Sequence, residues 1–240
     1  MIDGLGLKRL YEDELEAAGR PGGGDSKHGR RMFRALLKAS RPLPPCRLEQ
    51  DKAWVWSDLH LGHENIIRYT GRPFSDAEEM DAALYREWEA TVGSGDALIF
   101  VGDVAMRHAV GEHTWERIRT GCGAAKYLVV GNHDLTGGGK LRVDGFDQMG
   151  SVMLVDGDPP LVFTHIPLKA VPDGCVNVHG HTHDEPPRST PHINVSVEQL
   201  GYRPVELERI RALAKELIAG RYPDGSTTIA RLRTIESPAQ

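Results

Sequence analysis

Ala97-Leu-Ile-Phe-Val-Gly-Asp103 most constrains what this chain can fold into: an apolar run stops abruptly at Gly102 and leaves one carboxylate at its end. A short run of this kind, closed by Gly-Asp, reads as a buried strand entering a turn. Alone it says little about chemistry. The same texture recurs, however, because Asp58 and His60, Asn132 and His133, His165, and His181 and His183 all stand at or just past the end of similar apolar runs. In the first half these runs alternate with stretches of helical spacing. Strand, polar donor and helix in that order predict an α/β domain whose functional residues gather at the carboxyl ends of its strands.

The segment before the first of these runs has a different character. Leu7, Leu10, Tyr11, Leu15 and Ala18 mark a helical face over residues 5–18, and Gly19-Arg-Pro-Gly-Gly-Gly-Asp25 reads as a flexible connector. A second helix over 28–39 is basic on one side (Arg30, Arg31, Arg34, Lys38) and apolar on the other, and Pro42-Leu-Pro-Pro45 ends it. Residues 1–50 are therefore expected as a helical N-terminal extension, with 51–240 as the main domain. The default for such a basic face is solvation; a grip for nucleic acid or another anionic partner is the minority reading.

In the main domain, strands are expected at 53–57, 97–101 and 126–130, with helices at 64–69 and 113–119. Another helix runs from a Ser75/Glu78 capping box to about Val92, with Met80, Leu84 and Trp88 as its inner stripe. Strands around 152–155, 160–164, 175–178 and 192–197 predict a second sheet packed on the first. Pro204 as the first residue of a helix over about 204–219, and a strand over Thr227–Leu232, complete the reading.

Composition narrows the partners. At 240 residues there is material for one substantial core, and a formal charge of -5 gives no global basic field for nucleic acid, which is left only a local patch. Cys46, Cys122 and Cys175 lie far apart, without the spacing of a disulfide framework or a thiolate zinc site. No apolar run reaches the length of a membrane span, and a cytoplasmic protein is expected.

Two Asp, one Asn and four His mix hard oxygen with imidazole donors, a set suited to Mn, Fe, Co, Ni or Zn rather than to a thiolate metal or an all-oxygen calcium cage. One ion does not need seven ligands; two ions do, if a carboxylate bridges them. Here the chain resembles the calcineurin-like metallophosphoesterases. Asp58-Leu-His60, Gly102-Asp103, Gly131-Asn-His-Asp134, His165 and Gly180-His-Thr-His183 match the family's blocks, in order, over residues 53–198.

The resemblance implies a four-layer α/β/β/α sandwich of two mixed sheets flanked by helices, and a centre of two divalent ions, manganese foremost. Asp58, His60, Asp103 and His183 would hold one ion, and Asp103, Asn132, His165 and His181 the other. It also implies hydrolysis of phosphate esters, diesters ahead of monoesters or phosphoproteins, by a hydroxide shared between the ions. His133 would protonate the leaving oxygen and Asp134 would orient His133. His63 and Arg72 are candidate phosphate contacts, with Lys169 and Arg188 behind them. The rival from another class is a non-catalytic scaffold acting through residues 1–50.

Overall fold

The apolar runs become strands that are covered on both faces, as parallel strands between layers must be. In the computed structural model, which describes residues 2–21, 26–106, 111–186 and 190–236, the chain opens with α1 (Gly4–Gly19) and α2 (Lys27–Ser40). The alternating half follows as β1 (Ala53–Trp56), α3 (Glu64–Thr70), α4 (Ala77–Thr91), β2 (Ala97–Phe100), α5 (Glu112–Thr120) and β3 (Ala125–Val129). Next come β4 (Gln148–Gly150), β5 (Val152–Val155), β6 (Leu161–Thr164), β7 (Val176–His179) and β8 (His192–Asn194). The last elements are α6 (Val197–Leu200), β9 (Val205–Glu206), α7 (Leu207–Ile218) and α8 (Thr228–Glu236).

The first sheet has the order β4-β3-β2-β1-β9 and the second β5-β6-β7-β8. In the first, β1 to β4 run parallel and β9 is antiparallel to β1; in the second, β6 to β8 are parallel and β5 is antiparallel to β6. Both sheets are thus mixed, and helices flank them in an α/β sandwich. A bridge between Ser57 and Ser196, just past β1 and β8, joins the two sheets at the end where the candidate ligands lie.

Helix α4 shows how sequence sets an outer layer. Asp76 caps it by accepting from the Glu79 amide at 2.8 Å. Met80, Leu84 and Trp88 are buried, and the Trp88 indole meets Trp56 and Phe100 edge-on at 6.4 and 5.6 Å. Each such side chain contributes about 1.5–3 kcal/mol through burial. On the second sheet, α1 packs against β5, with Leu7, Tyr11 and Leu15 buried. The Ser40 hydroxyl donates to Ser151 Oγ at 2.7 Å, and Glu14 accepts from the amides of Lys169 and Ala170. The N-terminal helices are therefore bound into the common core.

Four expectations need correction. The cap of α4 is Asp76 rather than Ser75, because Glu79 reaches back to the Ser75 amide and hydroxyl. The strand from His192 stops at Asn194, where the Asn194 side chain accepts from the amide of Ser196 and turns the chain into α6. Pro204 leads into β9, which adds two antiparallel residues to the edge of β1, so the helix starts only at Leu207. Residues 228–236 are helical, not extended: the Thr227 hydroxyl accepts from the Ala230 amide and caps the turn, outweighing the β preference of Thr-Thr-Ile. Among the described residues no helix is long and apolar enough to cross a membrane.

Candidate metal centre

Every candidate ligand follows the carboxyl end of a strand: Asp58 and His60 after β1, Asp103 after β2, Asn132 after β3, His165 after β6, and His181 and His183 after β7. The backbone there is unusual. Asp58, His60, Asp103, His181 and His183 all have positive φ, between 44° and 68°, and the other non-glycine residues of this kind among the described ones are Cys122 and Tyr202. Left-handed backbone at a side chain with Cβ costs energy and persists only where the surroundings enforce it. Enforcement is visible: the Asp58 amide donates to Gly102 O, and the His60 amide to Asp103 O, both at 3.0 Å. Gly102 itself has φ 92°, and a Cβ there would run into His165 Nδ1 and Gly131.

Asp103 lies at the middle. Its Oδ1 accepts from the His133 amide at 2.7 Å, while Oδ2 is 3.6 Å from His60 Nε2 and 3.4 Å from His165 Nε2. To one side, Asp58 Oδ1 lies 3.8 Å from His60 Nε2 and 3.9 Å from His183 Nε2. To the other, Asn132 Oδ1 is 3.2 Å from His165 Nε2, and the His181 ring packs edge-on against His165. Asp58, His60 and His183 form one group whose ligand atoms all lie within 4.8 Å of one another, and Asp103, His165 and His181 form a second. His60, Asp103 and His133 form a third.

The donor set fits a cation on grounds independent of spacing. Asp58 Oδ1 and His60 Nε2 are buried without a hydrogen-bond partner, although Asp58 Oδ2 is satisfied by the His181 amide and Ser196 Oγ. Buried polar atoms are rarely left so, and an ion shared by the two would satisfy both. The imidazoles are also aimed. His165 Nδ1–H donates to Val101 O at 2.7 Å and His183 Nδ1 sits 3.2 Å from Glu198 Oε1, which turns each Nε2 inward.

Charge is arranged to match. Burial opposes a charge on Asp103, but the imidazoles of His165, His133 and His60 hold its carboxyl well below the usual range. Burial likewise opposes a charge on His165, yet Asp103 beside it raises the imidazole to about 10. Burial, aided by His165, takes His181 down to about 4.

No family model matches the chain. An uncharacterized protein of Methanocaldococcus jannaschii, MJ1445, is 33% identical over 172 residues, which span 69% of this chain and 92% of the archaeal protein. The chain belongs to the MJ1445 family. The Gene 66 protein of Mycobacterium phage L5 is 27% identical over 167 residues, covering 54% of this chain and 76% of the phage protein. In fold, the chain is similar to the crystal structure of a protein of unknown function, AQ665 from Aquifex aeolicus, with a TM-score of 0.54 and 21% identity over 68% of this chain and 98% of that one.

In this member of the MJ1445 family all seven candidate ligands and His133 come together, but two neighbours, Arg72 and Asp134, take other places than expected. Arg72 is buried with its guanidinium committed: Nη2 donates to Asp58 O at 2.7 Å, Nη1 to Leu59 O at 2.8 Å, and Nε and Nη2 to Glu198. It braces the ligand loop and has no donor left for a phosphate. Asp134 forms no bond to the His133 ring; its carboxylate accepts from the amides of Asp103, Val104 and Gly131 and buckles two ligand loops together. His63 Nδ1 lies 3.4 Å from His60 Nδ1, which makes it a partner of a ligand as well as a rim residue. The Lys169 side chain is exposed, and Arg188 lies outside the described residues. Glu198, which joins His183 to Arg72, escapes a sequence reading. It sits in the mixed stretch Ile193-Asn-Val-Ser-Val-Glu-Gln-Leu200, where one more polar residue carries no signal.

Proposed function

We propose that the chain is a dinuclear metal-dependent phosphoesterase acting on phosphodiesters in preference to monoesters. The observation that carries this reading is Asp103 Oδ2 between two inward-facing imidazoles, with further oxygen and imidazole donors on each side. Two divalent ions, manganese first and Fe, Zn, Co or Ni as alternatives, would supply a nucleophile at neutral pH and neutralise charge on the phosphoryl oxygens. Asp58, His60, Asp103 and His183 would hold one, and Asp103, Asn132, His165 and His181 the other.

The remaining residues position and move protons. His133 is half-buried, its amide is fixed by Asp103 Oδ1, and its ring packs edge-on against His60 at 4.9 Å. From there it donates a proton to the departing oxygen, with Asp134 holding the two loops that set its place. Three free cysteines, two of them buried, suit a reducing cytoplasm.

A panel of an aryl phosphodiester, an aryl monoester, cyclic nucleotides and single-stranded nucleic acid, each with Mn²⁺, Fe²⁺ and Zn²⁺, tests this. Turnover of the monoester alone overturns the diester preference, and no turnover of any ester favours a scaffold. His133→Ala is expected to lower kcat about 10²–10⁴-fold with metal content unchanged. An equal rate in the variant removes His133 from the chemistry.

A further inference from the structure

Two features beside the centre have no part in holding ions. The first is Tyr69, near the end of α3: its ring is 73% exposed, yet it packs edge-on against His63 at 6.4 Å, and His63 is 6.1 Å from His133. Tyr69 thus presents an open aromatic face beside a polar site, and such a face can stack on a planar ring.

The second is a stripe on α2. Lys27, Arg31, Arg34 and Lys38 stand four, three and four residues apart, which places them along one line of the helix over about 16 Å. All four are exposed. The helix carries no acid, although the chain as a whole is at -5. None of the four forms an ion pair with a described residue. A solvated helix face ordinarily mixes the two signs; this one does not.

The stripe is joined to the centre by a hairpin. Leu135 and Leu141 bridge, the Arg142 amide donates to Asp134 O at 2.9 Å, and the Thr136 amide donates to Lys140 O at 2.8 Å. Its tip packs on α2: a Cβ at Gly137 would meet the Arg31 guanidinium, and one at Gly139 would meet Ala35 O and Lys38 Cβ. Gly137, which Arg31 touches, is four residues from His133 and so lies within about 14 Å of it. Arg142, at the root of the hairpin, has a buried Nε without a partner, and Lys140 is exposed. Tyr69, His63 and His133 are thus linked ring to ring, and the hairpin that follows His133 reaches the stripe at Arg31 and Lys38.

Resting on the phosphodiesterase reading, we propose that the substrate is a single-stranded nucleic acid, with a base stacked on Tyr69 and the flanking phosphates on Arg31, Arg34, Lys38 and Lys27. An aromatic platform beside a cationic track is the combination that grips a single strand without reading its sequence. A lone phosphate would need one cation, not four in line. Asn132, His133, His181 and His183 are only half-buried, so the centre is open on that side to a phosphate carried by a flexible strand.

The test measures binding apart from turnover. Anisotropy of a labelled oligothymidylate is recorded with full-length protein in a chelator, across salt concentrations, and turnover of the same strand and of a small aryl diester is measured with Mn²⁺. Replacing the four cations with glutamine (K27Q/R31Q/R34Q/K38Q) is expected to weaken binding at least tenfold. The salt dependence should flatten by about 0.7 per lost phosphate contact. Tyr69→Ala should weaken it about tenfold, and the glutamine variant should leave aryl diester turnover unchanged. R31K/R34K, which keeps the charge, should bind within twofold of wild type and so separates charge from folding.

Unchanged binding in the glutamine and alanine variants overturns the inference, as does wild type that binds anionic vesicles or a phosphopeptide but not the strand. If the aryl diester is hydrolysed and the strand is neither bound nor cut, the inference falls and the phosphoesterase reading stands. If the strand binds and no ester of any kind is hydrolysed, the phosphoesterase reading falls and takes the substrate assignment with it.

Discussion

At the scale of single residues, Asp103 is the candidate ligand that reaches both halves of the centre, since its Oδ2 faces His60 and His165 together. Asp103→Asn should therefore lower the occupancy of both ions, whereas His183→Ala should deplete mainly the one shared with Asp58 and His60; metal analysis of the purified variants checks this, and two full ions in Asp103→Asn would contradict the bridge. Glu198 poses a different question because it pairs two buried groups, His183 and Arg72. Glu198→Ala strands the Arg72 guanidinium in the core and should cost about 3–5 kcal/mol of stability. Glu198→Gln keeps an acceptor and should instead show its effect in metal affinity, weakened about 10–100-fold; thermal melts beside metal titrations distinguish the two. That the seven donors gather at one place was legible in the sequence because each one closes an apolar run. The roles of Arg72, Asp134 and Glu198 were not, because what they do depends on backbone carbonyls and amides brought close only by folding.

At the scale of elements, buried strands and amphipathic helices declared themselves through periodicity, and the misses fall where a side chain competes with the backbone. Asp76 rather than Ser75 caps α4, Asn194 cuts β8 short, and Thr227 turns an apparent strand into α8. The two strands that were not foreseen, β4 and β9, have three residues and two, too few for any period to show, and both lie on edges of the first sheet. Such assignments can be tested one cap at a time. Asp76→Ala removes the acceptor for the Glu79 amide and should destabilise the fold by about 1 kcal/mol, read as a lowered Tm; Ser75→Ala, which leaves the cap in place, should cost less. The reverse ranking would restore Ser75 as the cap.

At the scale of the whole molecule, the centre is a seam between the two sheets. The first supplies Asp58, His60, Asp103 and Asn132, and the second supplies His165, His181 and His183. Without metal, a protonated His165 against Asp103 is a principal charge pair across that seam. His165 is raised in the folded chain to about 10, above its unfolded range, so it contributes stability that is fully present below about pH 6.5 and is lost as pH rises through 10. Bound cations would take over the role of that proton, since an imidazole must be deprotonated to ligate. The chelated protein should accordingly lose Tm between pH 7 and pH 10, and the Mn²⁺-loaded protein should lose less; calorimetric scans at the two pH values measure both. Ion binding at pH 7 should also release protons, seen as a dependence of the binding heat on the ionisation enthalpy of the buffer. Equal alkaline losses with and without metal, together with no buffer dependence, would mean that the seam is held by its backbone bridges and not by the charges that meet across it.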